Sequence, residues 1–555
     1  MAEKGERKRI TAEEMAKAQK EISVSEFFEK NKHLLGFDNP TKALLIAIKE
    51  AVDNSLDACQ EADILPDIVV KLKQKKEDYF IVSIQDNGPG IVKEQVGRVF
   101  GKLLYGSKFH RLRQSRGQQG IGISACVLYA QLTTGAPTKI WTKTESGKKG
   151  NYFEIFLNTT KNEPEIVKEE DVSEPPFEHG VKVEFEMVGR YRKWVYDYLK
   201  QTSISNPFAK VIYHAPDGTK TTFPRSINQL PKPPKEMKPH PYGMEFGILQ
   251  RMLGRTDSRG LAGFLTNEFS SVGSQTAKEI CSVAKLDADI KPKSLDRDQI
   301  EKLLNAMQKV KVQRPPMDAV SPIGQTEFEK SLKSEFPGAE FIAVRSRDPE
   351  VYRGFPFIIE AGVVYGGDLP ADQAAQTMRF ANRVPLLYQS GACATTEAIK
   401  ETDWKRYNLQ QSGGNIPTGP IVIILHMCGV WVPFVSESKE AIAPYPEIVK
   451  EMKLALQDIG RELGRYLSGK RRAGEARRRI LIFDRYAAQV AEALAKLTGK
   501  PEKKIEETLK GLVRERIKTI EKEVEEELGA QPVAGTPEEK KETKEKPKEE
   551  KPEKK

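Results

Sequence analysis

Over residues 44–59 apolar side chains return every three or four positions, which predicts a helix. Leu45, Ile48, Val52 and Cys59 fall on one face, and Glu50, Asn54 and Asp57 on the other. Ala47, Ala51 and Ala58 flank that polar stripe. Short-armed carboxylate, amide and carboxylate groups in a row suit a divalent metal, a polarised water and a phosphate chain. The solvated face of an ordinary amphipathic helix would read the same way. From residue 67 the pattern changes to alternation and predicts strands at 68–72, 80–84, 130–134, 139–144, 152–157 and 181–187. Helices are expected between them at 94–100 and 120–128. The fold class is α+β, with helices packed on one face of a mixed sheet.

The remainder divides by composition. Residues 1–20 are charged and expected to be loose, and 22–32 carry a short helical pattern. A turn and a Pro-rich connector over 215–240 mark a boundary. Helical patterns follow at 246–253, 261–267, 276–284 and 297–310, and residues 271–278 read as a helix-two-turn-helix hairpin. That insert could be a rigid spacer or a DNA-backbone contact, and both readings stand. Residues 311–444 return to α/β, with a helix at 328–336 and strands at 340–346, 356–365 and 420–426. Ile448, Met452, Ala455, Ile459, Leu463 and Tyr466 then begin a long helix. The cationic run Lys470, Arg471, Arg472 and Arg477–Arg478–Arg479 is expected to interrupt it. Helices resume at 480–497 and, after Gly499-Lys500-Pro501, at 505–528 with a heptad-like repeat. From Gly529 on Pro, Glu and Lys dominate, which predicts disorder. The expected domains are 1–228, 229–310, 311–470, 471–528 and the tail 529–555.

Lys and Arg number 89 against 79 Asp and Glu, a net charge of +10. This balance permits nucleic-acid binding without requiring it. The five cysteines have no C-x-x-C spacing, which argues for a reducing cytoplasm and against a zinc site. No apolar run is long enough to span a bilayer, so no membrane partner is expected.

Chemistry concentrates in three stretches. The helix holds Glu50 and Asn54. A strand at 81–85 runs into Asp86-Asn87-Gly88-Pro89-Gly90, where a carboxylate can read an exocyclic amine beside bare backbone. Residues 101–119, rich in Gly, Ser, Lys and Arg, predict a lid carrying Ser107 and Lys108. Gly117, Gln118, Gln119, Gly120, Ile121, Gly122, Ile123 and Ser124 then lead into an apolar helix, a phosphate cradle. Glu50-x-x-x-Asn54, Asp86-x-Gly88-x-Gly90 and Gly117-x-x-Gly120-x-Gly122 together resemble the Bergerat (GHKL) ATPase fold of gyrase, mismatch-repair ATPases, heat-shock chaperones and histidine kinases. The wording Glu-Ala-Val-x-Asn-Ser-Leu-Asp-Ala with Gly-Gln-Gln-Gly-Ile-Gly resembles the B-subunit family of DNA topoisomerase VI.

The resemblance implies roles. Glu50 would be the general base, Asn54 a Mg²⁺ ligand and Asp86 the adenine reader, while Ser107, Lys108 and the 117–124 backbone would hold ATP. Lys439 would reach the terminal phosphate from a ribosomal-protein-S5-like transducer domain; without the resemblance it reads as a surface lysine. Trp404, Lys405 and Tyr407 would couple nucleotide state to the cleaving subunit, or Trp404 would simply cap its loop from inside. Lys470, Arg471 and Arg472 would contact DNA phosphates, or form a solvated basic loop. ATP and Mg²⁺ are the implied cofactors. The implied partners are a second copy of this chain clasped by an N-terminal arm, a topoisomerase VI A subunit in an A2B2 heterotetramer, and double-stranded DNA. A chaperone-like ATPase clamp is the alternative. A histidine kinase fits less well, because no His-bearing dimerisation helix precedes the site.

Overall fold

The structure, a computed structural model, describes residues 12–19, 22–107, 111–117, 120–144, 149–173, 177–436 and 439–528. The disorder expected of 529–555 lies outside them. Two compact units emerge, residues 1–405 with 409–460, and 406–408 with 461–555.

In the first unit, helix α1 (Ala12–Ala18) lies in the stretch expected to be loose. Its Ala, Glu, Met and Lys residues are strong helix formers, which accounts for the difference. Helix α2 (Val24–Lys30) is capped by Ser23, and Ser25 Oγ donates to Asn162 Oδ1 at 2.9 Å. Helix α3 (Pro40–Glu61) starts four residues earlier than the apolar pattern suggested. Asn39 Oδ1 accepts the Lys42 N–H at 2.9 Å, and Pro40 occupies the first turn.

Strands β1 (Asp67–Lys76) and β2 (Tyr79–Gln85), helices α4 (Lys93–Gly101) and α5 (Gly122–Thr134), and strands β3 (Thr138–Lys143), β4 (Gly150–Asn158), β5 (Glu163–Val172) and β6 (Gly180–Val188) follow. After helix α6 (Trp194–Ser205), strands β7 (Lys210–His214) and β8 (Lys220–Phe223) complete an eight-stranded sheet. Its order is β5-β4-β3-β6-β2-β1-β7-β8, antiparallel except for β1 with β7. The strand expected at 130–134 is the last part of α5 instead. Thr133 and Thr134 bond back to the carbonyls of Tyr129 and Ala130, each at 2.8 Å, and Gly135 ends the helix at φ 69°. Helices α3 and α5 bury Leu44, Ile48, Val52, Leu56, Val127 and Leu128 against the sheet.

Helices α7 (Phe246–Arg255), α8 (Leu261–Glu268), α9 (Ser274–Ala284) and α10 (Arg297–Lys309) enclose a separate core around Phe264, Leu303 and Met307. Asp296 and Gln299 form a capping box on α10. Helix α11 (Gln325–Glu335) then packs on a six-stranded sheet of β9 (Phe341–Ser346), β10 (Glu350–Tyr352), β11 (Phe355–Tyr365), β12 (Gln376–Ala381), β13 (Val384–Pro385) and β14 (Ile421–Gly429). All nine residues of β14 are buried, as expected of a central strand covered on both faces. Helix α12 (Ala394–Glu401) precedes the Trp404–Tyr407 turn.

Helix α13 (Pro446–Thr498) runs 53 residues without a break, so the interruption expected at 470–479 does not occur. Lys and Arg are good helix formers, and exposed like charges are screened within a Debye length. Helix α14 (Glu502–Leu528) follows. No helix among the described residues is long and apolar enough to cross a membrane.

Candidate nucleotide site

A cavity of about 610 Å³ lies between α3, the end of β2, the start of α5 and the loop after β14. Glu50, Asn54, Asp86, Gly90, Ser107, Gly117, Gly120, Ile121, Gly122, Ile123 and Lys439 line it. The expected residues Lys108, Gln118 and Gln119 lie outside the described residues. Gly88 and Ser124 flank the cavity without lining it; Ser124 Oγ donates to Ile121 O at 3.0 Å. Of the polar stripe on α3, Glu50 and Asn54 reach the cavity. Asp57 does not: it is buried and paired with Arg116 at 2.6 Å.

Asp86 is buried and tightly held. Its Oδ1 accepts from Gly88 N at 2.9 Å and Val181 N at 3.2 Å, and its Oδ2 from Ser55 Oγ at 2.8 Å. Two oxygens offer about four lone-pair sites, so one acceptor position remains on the residue where it borders the cavity. Burial raises the Asp86 pKa, and the three hydrogen bonds oppose that rise. Ser55, which orients this carboxylate, is a site residue that the motif reading did not single out.

Two glycines stand at close approaches, one to a side chain and one to backbone. A Cβ at Gly122 would sit 1.9 Å from Glu50 Oε2. At Gly90, φ is 75° and a Cβ would sit 2.3 Å from the Lys143 carbonyl. The first turn of α5 has no side-chain cap, and its first backbone bond runs from Ala125 N to Ile121 O at 2.8 Å. Among the described residues no partner takes the preceding N–H groups, and such a helix start suits an anion, reinforced by the helix dipole.

Lys439 enters from the far side. Its Nζ donates to the Arg116 carbonyl at 3.1 Å. The ammonium still touches the cavity, yet protein surrounds it densely enough for burial to lower its pKa, an effect that Glu50 opposes. Lys439 has a left-handed backbone, φ 52°. Next to it, Glu440 is buried and pairs with Lys42 on α3 at 2.6 Å. This clamp behind Lys439 has no motif, and sequence reasoning missed it.

The residues fit a magnesium nucleotide. Carboxylate, amide oxygen and ammonium groups line a cavity of nucleotide size, with the buried Asp86 carboxylate among its walls. Among the described residues no three His, Cys, Asp or Glu side chains gather as a metal cage. Mg²⁺ ordinarily keeps waters and phosphate oxygens among its ligands, so an amide oxygen such as that of Asn54 suits it without a cage.

The expected coupling cluster needs correction. Trp404 is fully buried, and its Nε1 donates to Ile399 O at 2.8 Å. It caps its loop from inside and offers no face to DNA. An indole buries so much apolar surface that it is drawn to the interior when its N–H finds a partner. Lys405 is exposed and Tyr407 half-buried. Lys470, Arg471 and Arg472 are exposed on α13, with Arg471 4.0 Å from Glu475.

The fold and cavity define an ATPase of the class shared by histidine kinases, gyrase B and Hsp90, and the family described as "Histidine kinase-, DNA gyrase B-, and HSP90-like ATPase" matches residues 40–161. A second family, "Topoisomerase VI B subunit, transducer", matches residues 315–479. The B subunit of type 2 DNA topoisomerase 6 from Methanococcoides burtonii is 50% identical over 490 residues, covering 87% of this chain and 78% of that protein. Its counterpart in Methanosarcina barkeri is 48% identical over 495 residues, 88% and 79% of the two chains. That of Archaeoglobus fulgidus is 48% identical over 462 residues, 82% and 76%. The chain belongs to the B-subunit family of type 2 DNA topoisomerase 6.

Proposed function

We propose that this chain is the ATP-hydrolysing subunit of a type IIB DNA topoisomerase, and that ATP-driven dimerisation closes a gate around one duplex. The observation that carries this reading is the meeting of Glu50 and Asn54, from the N-terminal layer, with Lys439, from the second sheet's domain, around one cavity. Such a site can make domain position depend on the nucleotide.

In the proposed step the Glu50 carboxylate takes a proton from the attacking water. The water oxygen bonds to the terminal phosphorus as the bond to the bridging oxygen breaks. Asp86 accepts from the adenine amine. Ser107 and Lys108 contact the nucleotide from the lid, and the 117–124 backbone holds the phosphate chain. Lys439 offsets the charge that grows on the terminal phosphoryl oxygens. Mg²⁺ held through Asn54 would neutralise phosphate charge.

Exposed Val24, Phe27 and Leu34 support an arm that clasps a second copy. A topoisomerase VI A subunit would supply the cleaving tyrosine, docked on the C-terminal helices in an A2B2 assembly. Exposed Ile482, Phe483 and Tyr486 on α13 suit that docking. Lys470, Arg471 and Arg472 would meet duplex phosphates, and Lys405 and Tyr407 would serve coupling. A cytoplasmic site of action follows from a DNA substrate. The test is ATP turnover by the chain with its A subunit, with and without duplex DNA. Stimulation by DNA is expected; turnover indifferent to DNA but raised by unfolded protein clients would support a chaperone-like clamp instead.

A further inference from the structure

The segment that leads into the phosphate loop is fastened to the second domain at every residue from 114 to 116. Gln114 N donates to Ala319 O at 3.1 Å, and Gln114 Oε1 accepts from Ser321 N and from Cys428 Sγ at 2.7 Å. The Ser115 carbonyl accepts from Asn382 Nδ2 at 3.1 Å. Arg116 divides its guanidinium: one arm pairs with Asp57 on α3, and the other donates to Asn206 Oδ1. Asn206 Nδ2 in turn donates to the Arg383 carbonyl at 3.1 Å.

Arg383 carries the chain of contacts into the second sheet. Its guanidinium donates to Ser321 Oγ at 2.9 Å and Pro322 O at 2.8 Å. Its N–H donates to His426 Nε2 at 3.0 Å, which places the imidazole proton on Nδ1, facing Glu360 Oε2 at 2.7 Å. Glu360 also accepts from Ile323 N and Gly324 N. Arg116, Asn206, Arg383, His426 and Glu360 are all buried.

Two buried guanidinium groups are a costly way to join two domains, since apolar residues of equal volume would often hold them as well. Arg116 Nε and Arg383 Nε have no hydrogen-bond partner among the described residues. Burial, and then the Arg116 charge, bring the Arg383 pKa down to about 10. The same Arg116 offers its carbonyl to Lys439 Nζ. With three N–H donors, the Lys439 ammonium can hold this carbonyl and a terminal phosphate together, so a nucleotide in the cavity is tied to the residue that links α3 to the second sheet.

On the ATPase reading above, we infer that Arg116 is a positioning residue which, through Asn206 and Arg383, makes the transducer sheet follow the phosphate loop. Asp57–Arg116 sets the loop for hydrolysis. Asn206–Arg383 passes its position on. The two arms of one side chain thus separate chemistry from transmission.

The experiment uses the full chain assembled with its A subunit and a supercoiled plasmid. Asn206→Ala is expected to keep ATP turnover within about threefold of wild type while supercoils removed per ATP fall about tenfold. Arg116→Lys keeps a charge for Asp57 but loses the fork, so kcat is expected to fall about tenfold with the ATP KM little changed. If Asn206→Ala melts too low to assay, the isosteric Asn206→Asp removes the Asn206 donor and leaves the Arg383 carbonyl to Ser205 Oγ, 2.7 Å away, and the same split is expected. Unchanged supercoil removal per ATP in a folded Asn206 variant would overturn the coupling. A wild type without ATP turnover would overturn the ATPase reading itself.

Discussion

Glu50 and Gly122 touch: the Glu50 carboxylate lies where a side chain on Gly122 would begin, 1.9 Å from the Cβ position. The proposed base therefore lies against the first turn of α5, the turn proposed to hold the phosphate chain. Gly122→Ala must push the carboxylate aside or shift the loop. A displacement of about 1 Å costs on the order of 100-fold in rate. The variant is expected to fold and lose about that much kcat, read by steady-state ATP turnover beside a thermal melt.

The clamp behind Lys439 gives a second prediction. Lys42 and Glu440 are both largely shielded from solvent. Removing one partner leaves the other charge buried, which costs about 3 kcal/mol, whereas replacing both with apolar groups costs far less. Lys42→Met, which strands the buried Glu440 carboxylate, is expected to be markedly less stable than Lys42→Met/Glu440→Leu in urea denaturation, whereas Glu440→Leu alone leaves Lys42 with Asp38 3.5 Å away. These variants are expected to lose turnover, because the left-handed turn at Lys439 loses its anchor.

Lys439 itself links the site to pH. Its pKa is lowered in the folded chain because burial disfavours the ammonium. Below that folded pKa both folded and unfolded chains hold the proton, and the burial cost is fully present. Between the folded pKa and the ordinary lysine value the unfolded chain binds more protons, so stability rises with pH across that window. Without nucleotide, wild type is expected to gain stability relative to Lys439→Met as pH rises toward the ordinary lysine pKa. Melting temperatures of the two chains over a pH series read the difference.

Trp404 and its neighbour Lys405 separate a core residue from a surface one. Trp404→Ala empties a fully buried site and is expected to cost about 3–5 kcal/mol. Lys405→Ala is expected to stay within about 0.5 kcal/mol. Chemical denaturation of both variants provides the comparison.

The cations on α13 are tested by salt. If Lys470, Arg471 and Arg472 meet phosphates, replacing all three with Ala reduces the slope of log affinity against log salt by about 3. A titration with one duplex at several salt concentrations measures it.

Much of this molecule was legible in its residues because the chemistry repeats short spacings. Glu50 and Asn54 are one helical turn apart, and Gly88, Gly90 and Gly122 mark bare backbone where a carbonyl or a carboxylate comes close. What was missed depends on residues far apart in sequence. Strand β5 is an exposed edge rich in charge, so it shows no alternation. Asp57 looked like part of the polar stripe, because nothing nearby in sequence discloses that Arg116 takes it. Glu440 and Lys42 are 398 positions apart, and only the fold joins them. The cationic run looked like a break because charge was weighed above helix propensity, which favours Lys and Arg. For Trp404 the sequence leaves a coupling role and an inward cap both open, and its own volume and N–H partner place it inside.

The most direct test of the whole account is the Glu50→Ala chain, assembled with its A subunit and duplex DNA, assayed for ATP binding by calorimetry and for ATP turnover. Loss of a general base costs about 100-fold or more in rate. The account predicts binding close to wild type with turnover reduced at least that far, and turnover near the wild-type rate would contradict it.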